Sequence, residues 1–170
     1  MGSSSGTDAL APRPAAFPPA LRERLETEPI AWLTTVRPDG APHLVPVWFV
    51  WDGGAFLVFS KPVARKVRNV EVDGRVMLAI GRPEDDFDVQ LVEGEATLLP
   101  EPAEAVLRTE AGLLIAKYRA WMDAIGLGLD EFAATYTRVM RIAPTRFLGW
   151  RGRTGGRALG AAAIPQPVAA

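Results

Sequence analysis

The chain has 170 residues, enough for one ordinary domain, and its 19 Lys and Arg against 20 Asp and Glu leave a formal charge of −1. That balance excludes a global field for nucleic acid, so any anion site must be local. The absence of cysteine excludes disulfides, thiolate metal sites and a thiol nucleophile, and a lone histidine, His43, excludes a histidine-rich metal site within one chain.

No apolar run reaches the roughly 18 residues that a membrane span requires. The N-terminus lacks the cationic and apolar regions of a signal peptide, so a cytoplasmic protein without a membrane partner is expected. Residues 1–19, rich in Ser, Gly, Ala and Pro, read as a flexible arm, and 152–170 as a flexible tail. The folded unit is expected over 20–151.

Ala20 to Glu28 reads as a short helix that Pro29 ends. Ile30 to Val36, β-branched and aromatic, is the first strand. Pro38-Asp39-Gly40 turns the chain, and His43 to Trp51 returns as a second strand, apolar on both faces. Such a strand is expected to meet core on one side and another covering surface on the other. Pro46 cannot donate to a ladder, which places a bulge or a sheet edge there. Asp52-Gly53-Gly54 makes a tight hairpin into a third strand, Ala55 to Phe59.

The next stretch, Ser60 to Asn69, is the most informative. Pro62 suits the first turn of a helix. Val63, Val67 and Val70 then share one apolar face, with Arg65 and Asn69 opposite and Lys66 and Arg68 flanking them. A strand that feeds a helix N-terminus beside a hydroxyl and several cations is a place for a phosphate. The same cations suit the solvated face of any amphipathic helix, and no glycine-rich phosphate loop or dinucleotide fingerprint accompanies them.

Arg75 to Gly81 forms a fourth strand, and Glu84 to Asp86 an acidic loop that reads as solvated rather than metal-binding. Asp88 to Leu99 is a long fifth strand in which Gly94 marks a bulge or bend. Pro102 opens a helix to about Ile125, with Val106, Leu107, Leu114, Tyr118 and Trp121 near helical spacing. A short helical piece at Asp130 to Ala134 precedes the last strand, Tyr136 to Ala143; Pro144 interrupts it, and Arg146 to Trp150 closes the domain. Tyr118 and Tyr136 read as packing residues. His43 reads as a strand-start residue, with proton donation to a substrate as its alternative role. Six or so antiparallel strands joined mainly by hairpins point to a mainly β fold, a small barrel interrupted once by the cationic helix.

Several short runs then stand in a fixed order: Ala31-Trp32-Leu33-Thr34-Thr35, Pro38-Asp39-Gly40-Ala41-Pro42, Pro46-Val47-Trp48-Phe49, Asp52-Gly53, Lys66-Val67-Arg68-Asn69, Arg75-Val76 and Val92-Glu93-Gly94. Together they resemble the pyridoxamine-phosphate-oxidase-like split-barrel flavoproteins, and within them the actinobacterial oxidoreductases that depend on the deazaflavin coenzyme F420. The closing run Met140 to Arg151 is similar to that branch's last strands. The resemblance covers residues 28–151. It implies a six-stranded antiparallel split β-barrel of the FMN-binding type and a homodimer with the cofactor in a groove between subunits.

Carried over by position, the resemblance implies that Ser60, Lys61, Arg65, Lys66 and Asn69 contact the cofactor's phosphate. It places the backbone of Pro46, Val47 and Trp48 along the flavin or deazaflavin ring, and Trp150 with Arg151 near the partner's site. There is one departure. The vitamin-processing oxidases carry a glutamine and an arginine in the strand before their Glu-Gly pair, where this chain has Val89 and Leu91, with Gln90 one place out of register. Pyridoxamine phosphate oxidase activity is therefore not expected, and Gln90 reads equally as a cofactor contact or as a rim residue.

The implied activity is that of an F420-dependent oxidoreductase acting on a small organic substrate. The cofactor performs the redox chemistry and the protein orients it, so no catalytic side chain is assigned. The density of Lys61, Arg65, Lys66 and Arg68 favours F420, with its polyglutamate tail, over FMN. The alternatives are an FMN-binding oxidase or flavin reductase of the same fold, and a non-enzymatic flavin- or haem-binding module.

Overall fold

A computed structural model describes residues 19–81 and 89–150, so the expected tail, the acidic loop and all of the expected arm except Pro19, which opens the first helix, lie outside the described residues. The elements follow as α1 (Pro19–Thr27), β1 (Ala31–Val36), β2 (Pro42–Val47), β3 (Val50–Trp51), β4 (Phe56–Ser60) and α2 (Arg65–Val72). After them come β5 (Arg75–Gly81), β6 (Val89–Leu98), α3 (Ala103–Ala124), α4 (Leu129–Thr135) and β7 (Arg138–Trp150). All strand pairs are antiparallel, in the order β2-β1-β5-β6-β7-β4-β3.

The two outermost strands of that sheet, β2 and β3, are consecutive in the chain and joined only by Trp48 and Phe49. A sheet whose opposite edges are tied by so short a joint has to curl. The strand twist therefore accumulates into a barrel that is split beside the joint. The expected split barrel is the one observed, with seven strands rather than six because the run His43 to Trp51 is divided between two edges.

Edge placement of β2 agrees with Pro46, whose missing N–H costs a terminal strand little. The expected burial of both faces of that strand is not met within one chain. Leu44 is 56% exposed on the outer face, beside Pro46 and the 48% exposed Trp32 of β1. Pro144 does not end the last strand either. β7 runs through it by a bulge: Glu93 pairs with Arg146 and Gly94 with Pro144, so Thr145 has no partner in β6. Gly94 is required there, since a Cβ would fall 2.9 Å from the Ala143 carbonyl oxygen and 2.9 Å from a methyl of Ile142.

Two apolar cores result. Inside the barrel, Leu33, Phe56, Leu78, Val92 and Ile142 pack with Leu21 and Leu25 of α1 and with Val67 and Val70 of α2. Helix α2 starts at Arg65 rather than near Pro62, because Lys61 to Ala64 form a turn closed by the Ala64 N–H to the Lys61 carbonyl at 3.0 Å. Val63 is consequently 74% exposed, and the buried face is Val67, Asn69 and Val70. Outside the sheet, Leu107, Leu114, Tyr118 and Met122 of α3 and Phe132 of α4 cover Val50, Leu57 and Val139. Trp121, expected on that face, is 52% exposed. No described helix is long and apolar enough to cross a membrane.

Helix α3 also sends the polar side chain of Lys117 inward. The Lys117 Nζ donates to the carbonyls of Leu25 at 2.8 Å and Phe49 at 3.1 Å. Burial lowers its pKa to about 7, with Glu28 resisting. The unfolded chain keeps this amine protonated up to its ordinary value of 10.5, so between those limits the unfolded state binds more protons and stability rises with pH.

Two outcomes follow. Gly94→Ala is expected to lower stability by about 1–3 kcal/mol in thermal unfolding. Lys117→Met is expected to remove a rise in stability of order 2 kcal/mol between pH 7 and pH 10 in denaturant titrations, less than the full linkage because water reaches one side of the amine.

Candidate cofactor site

At the split, a cavity of about 220 Å3 lies between the β2–β3 joint and the helices. Pro46, Val47, Trp48 and Phe49 form one wall; Phe59 of β4, Lys66 of α2, and Leu114, Phe132 and Tyr136 form the other. As a terminal strand, β2 pairs only with β1, so its outer edge presents backbone N–H and C=O groups outside any ladder. The Trp48 indole stacks on Tyr118 with centroids 4.5 Å apart and planes 6° apart, so that ring is committed to packing. The cavity is thus an apolar slot with a polar main-chain edge. Among the described residues lining it, Lys66 alone is charged, and burial lowers its pKa.

The charge on α2 is arranged against its own dipole. Its N-cap, Ala64, makes no side-chain cap bond, and its first turn holds no acid but carries Arg65 and Lys66. Helices favour anions there and leave their first N–H groups seeking acceptors. Lys61 stands just before, its ammonium 5.8 Å from the Tyr136 ring centroid. Among the described residues, none of Lys61, Arg65 and Lys66 forms an ion pair. His43 lies within reach of the same charges: burial first, then Arg65, Lys66 and Arg37, lower its pKa. Its Nδ1 is buried without a partner. Positive charge that no described acid neutralises, at an uncapped helix end, fits a phosphate.

The structure separates the residues singled out from the sequence into three groups. Pro46, Val47, Trp48 and Lys66 converge on the cavity, with Lys61 and Arg65 beside it. Ser60 and Asn69 are buried and do not line the cavity. Ser60 is 1% exposed, its hydroxyl 3.5 Å from the Lys61 carbonyl. Asn69 is 2% exposed and donates its amide to the Thr35 hydroxyl at 2.8 Å, tying α2 to β1. Arg68, counted among the cations, donates to the Val63 carbonyl at 3.1 Å. Trp150 pairs with Val89 through its backbone, and its side chain and Arg151 lie outside the described residues. Gln90 is buried and packs across Gly149, where a Cβ would come within 3.0 Å of its amide.

Sequence reasoning missed Phe59, Leu114 and Phe132 as walls of the cavity and read Tyr136 only as packing. Their helical or strand spacing signals burial, and nothing in it says which buried face borders a slot. No group of three acidic or histidine side chains among the described residues is placed to hold a metal.

A family model described as pyridoxamine 5'-phosphate oxidase matches residues 17–151, and the chain belongs to that family. Among solved structures, a conserved hypothetical protein from Mycobacterium tuberculosis is similar over 92% of this chain and 97% of its own, at 24% identity and a TM-score of 0.63. An F420 reductase is similar over 77% of this chain and 98% of its own, at 24% identity and a TM-score of 0.57. HutZ, the haem storage protein from Vibrio cholerae, is similar over 79% and 95%, at 17% identity and a TM-score of 0.62. At these identities the likeness is one of fold. No curated protein matches the chain.

The unfavourable helix end has a measurable consequence. Arg65→Glu is expected to raise the stability of the ligand-free protein by about 0.3–1 kcal/mol, because an acid suits that position. The same change is expected to abolish stabilisation by added pyrophosphate, both effects being read from melting curves with and without the anion.

Proposed function

We propose that this protein is an F420-dependent oxidoreductase that works as a homodimer on a small organic substrate. The observation that carries this reading is the pairing of cations that form no ion pair among the described residues, at an uncapped helix end, with an apolar slot beside a free strand edge. Arg65, Lys66 and Lys61 would hold the cofactor's phosphate and the start of its anionic tail. The outer edge of β2 offers amide and carbonyl groups to the polar rim of a planar ring. Phe59, Phe132 and Leu114 keep water from it. When bound, the deazaflavin supplies two-electron hydride chemistry.

Dimerisation is supported by size and surface. The cavity of about 220 Å3 is smaller than the roughly 300–1,000 Å3 of ordinary small-molecule sites, so a three-ring cofactor extends beyond it. The adjoining outer face carries Trp32, Leu44 and Pro46 exposed, a surface suited to a second copy. Members of the family are commonly dimeric. FMN is the second reading, since its phosphate would use the same cations. The cations Lys61 and Arg65 outside the cavity, which form no ion pair among the described residues, favour F420 with its anionic tail.

Parallel fluorescence titrations with F420 and FMN test the assignment. Saturable binding of F420 is expected, weakened roughly 10- to 150-fold in Lys66→Ala or Arg65→Ala, the effect of losing one charged hydrogen bond. Tighter binding of FMN, with a yellow protein on purification, would transfer the assignment to a flavin enzyme. A Soret band would transfer it to a haem carrier.

A further inference from the structure

We propose that Tyr118 and Lys117 of helix α3 are positioning residues of this site: they grip the peptide groups of Phe49 and thereby set where Pro46, Val47 and Trp48 face the cavity. Neither side chain lines the cavity, so both act through the joint. The affinity part of this inference rests on the cofactor reading above; the structural part does not.

Trp48 and Phe49 belong to no strand, so the polar groups of the joint need partners from elsewhere. Tyr118 supplies them. Its hydroxyl accepts from the Phe49 N–H at 2.9 Å and shares its proton between the carbonyls of Phe49 at 2.8 Å and Pro29 at 2.9 Å. Burial pushes the phenol's pKa up, so the proton stays in place. Lys117 adds a second donor to the Phe49 carbonyl, holds the Leu25 carbonyl, and seats its ammonium 3.3 Å from the centre of the Phe49 ring.

One residue of the joint is therefore held at its N–H, its C=O and its side chain by two neighbouring residues of one helix. Those two residues also tie the joint to the end of α1 and to the entry of β1. The stacking of Trp48 on Tyr118 extends the grip by one residue toward the cavity. Space filling does not account for the phenol: a phenylalanine ring would occupy nearly the same volume and keep the stack. The hydroxyl is fully buried, and its three bonds all end at the joint or at Pro29. A ligand that reads main-chain groups at a strand edge is sensitive to displacements of an ångström or less, so a held joint matters to binding.

The test compares Tyr118→Phe with Leu107→Ala, a cavity-forming change in the same outer core but away from the joint. Amide exchange of the ligand-free proteins is followed by mass spectrometry, and F420 and FMN are titrated in parallel. Tyr118→Phe is expected to speed exchange over residues 47–51 at least tenfold and to raise the dissociation constant of whichever flavin binds at least fivefold. Leu107→Ala is expected to lower the melting temperature comparably while changing both readouts less than twofold. Unchanged exchange over 47–51 in Tyr118→Phe, or the same change in Leu107→Ala, overturns the inference. If Tyr118→Phe does not fold, Lys117→Met takes its place with the same criteria. Failure of the wild-type protein to bind either flavin overturns the proposed function, and the exchange comparison then decides the positioning role by itself.

Discussion

The joint of Trp48 and Phe49 is the constraint on which this architecture rests, since it ties the first and last strands of one continuous sheet. With that tie in place, β1, β5, β6, β7 and β4 must wrap around a common interior. The ladder between the two edge strands, β2 and β3, is the one the topology leaves unmade. The slot opens where that ladder would have been. Barrel, slot and free strand edge are thus three consequences of one local break in a run of apolar residues. Helix α3 matters because it stabilises the break itself, supplying polar partners to peptide groups that have left the sheet.

A second theme is the disposition of charge. Most helices place acids in the first turn; α2 places Arg65 and Lys66 there, with no capping side chain and no ion pair for either among the described residues. Such an arrangement costs stability when the site is empty and lowers the free energy of any anion that docks. The helix holds its place through other groups. Val67 and Val70 enter the barrel core, and Asn69 bonds Thr35 across the buried interface with β1. On this helix the cations Arg65 and Lys66 come first and the anchoring residues Val67, Asn69 and Val70 follow within the next turn.

The family relationship and the fold neighbours bear on different questions. Membership of the pyridoxamine 5'-phosphate oxidase family accounts for the barrel and its groove. An F420 reductase and a haem storage protein share the architecture, so the groove alone does not name its occupant. The discriminating information lies in side chains that border the slot: a run of aromatic walls, one half-buried ammonium and a cationic rim. Gln90, buried against Gly149, takes no part in that rim.

The sequence by itself determined the strands, the turns at Gly40 and Gly53, the edge at Pro46, the bend near Gly94 and the cationic segment Lys61 to Lys66. Each of these follows from local rules: alternation, missing donors, positive φ and helical spacing. It could not show that His43 to Trp51 divides between two edges, because an apolar run looks the same whether it is buried on two faces or broken across a split. Nor could it tell Asn69, a brace, from Lys66, a cavity wall, three residues away. Only the tertiary structure decided which faces of α3 and α4 close the slot and that Tyr118 and Lys117 reach Phe49. Those contacts join residues about seventy positions apart, and local spacing carries no information about which distant surface a buried side chain will meet.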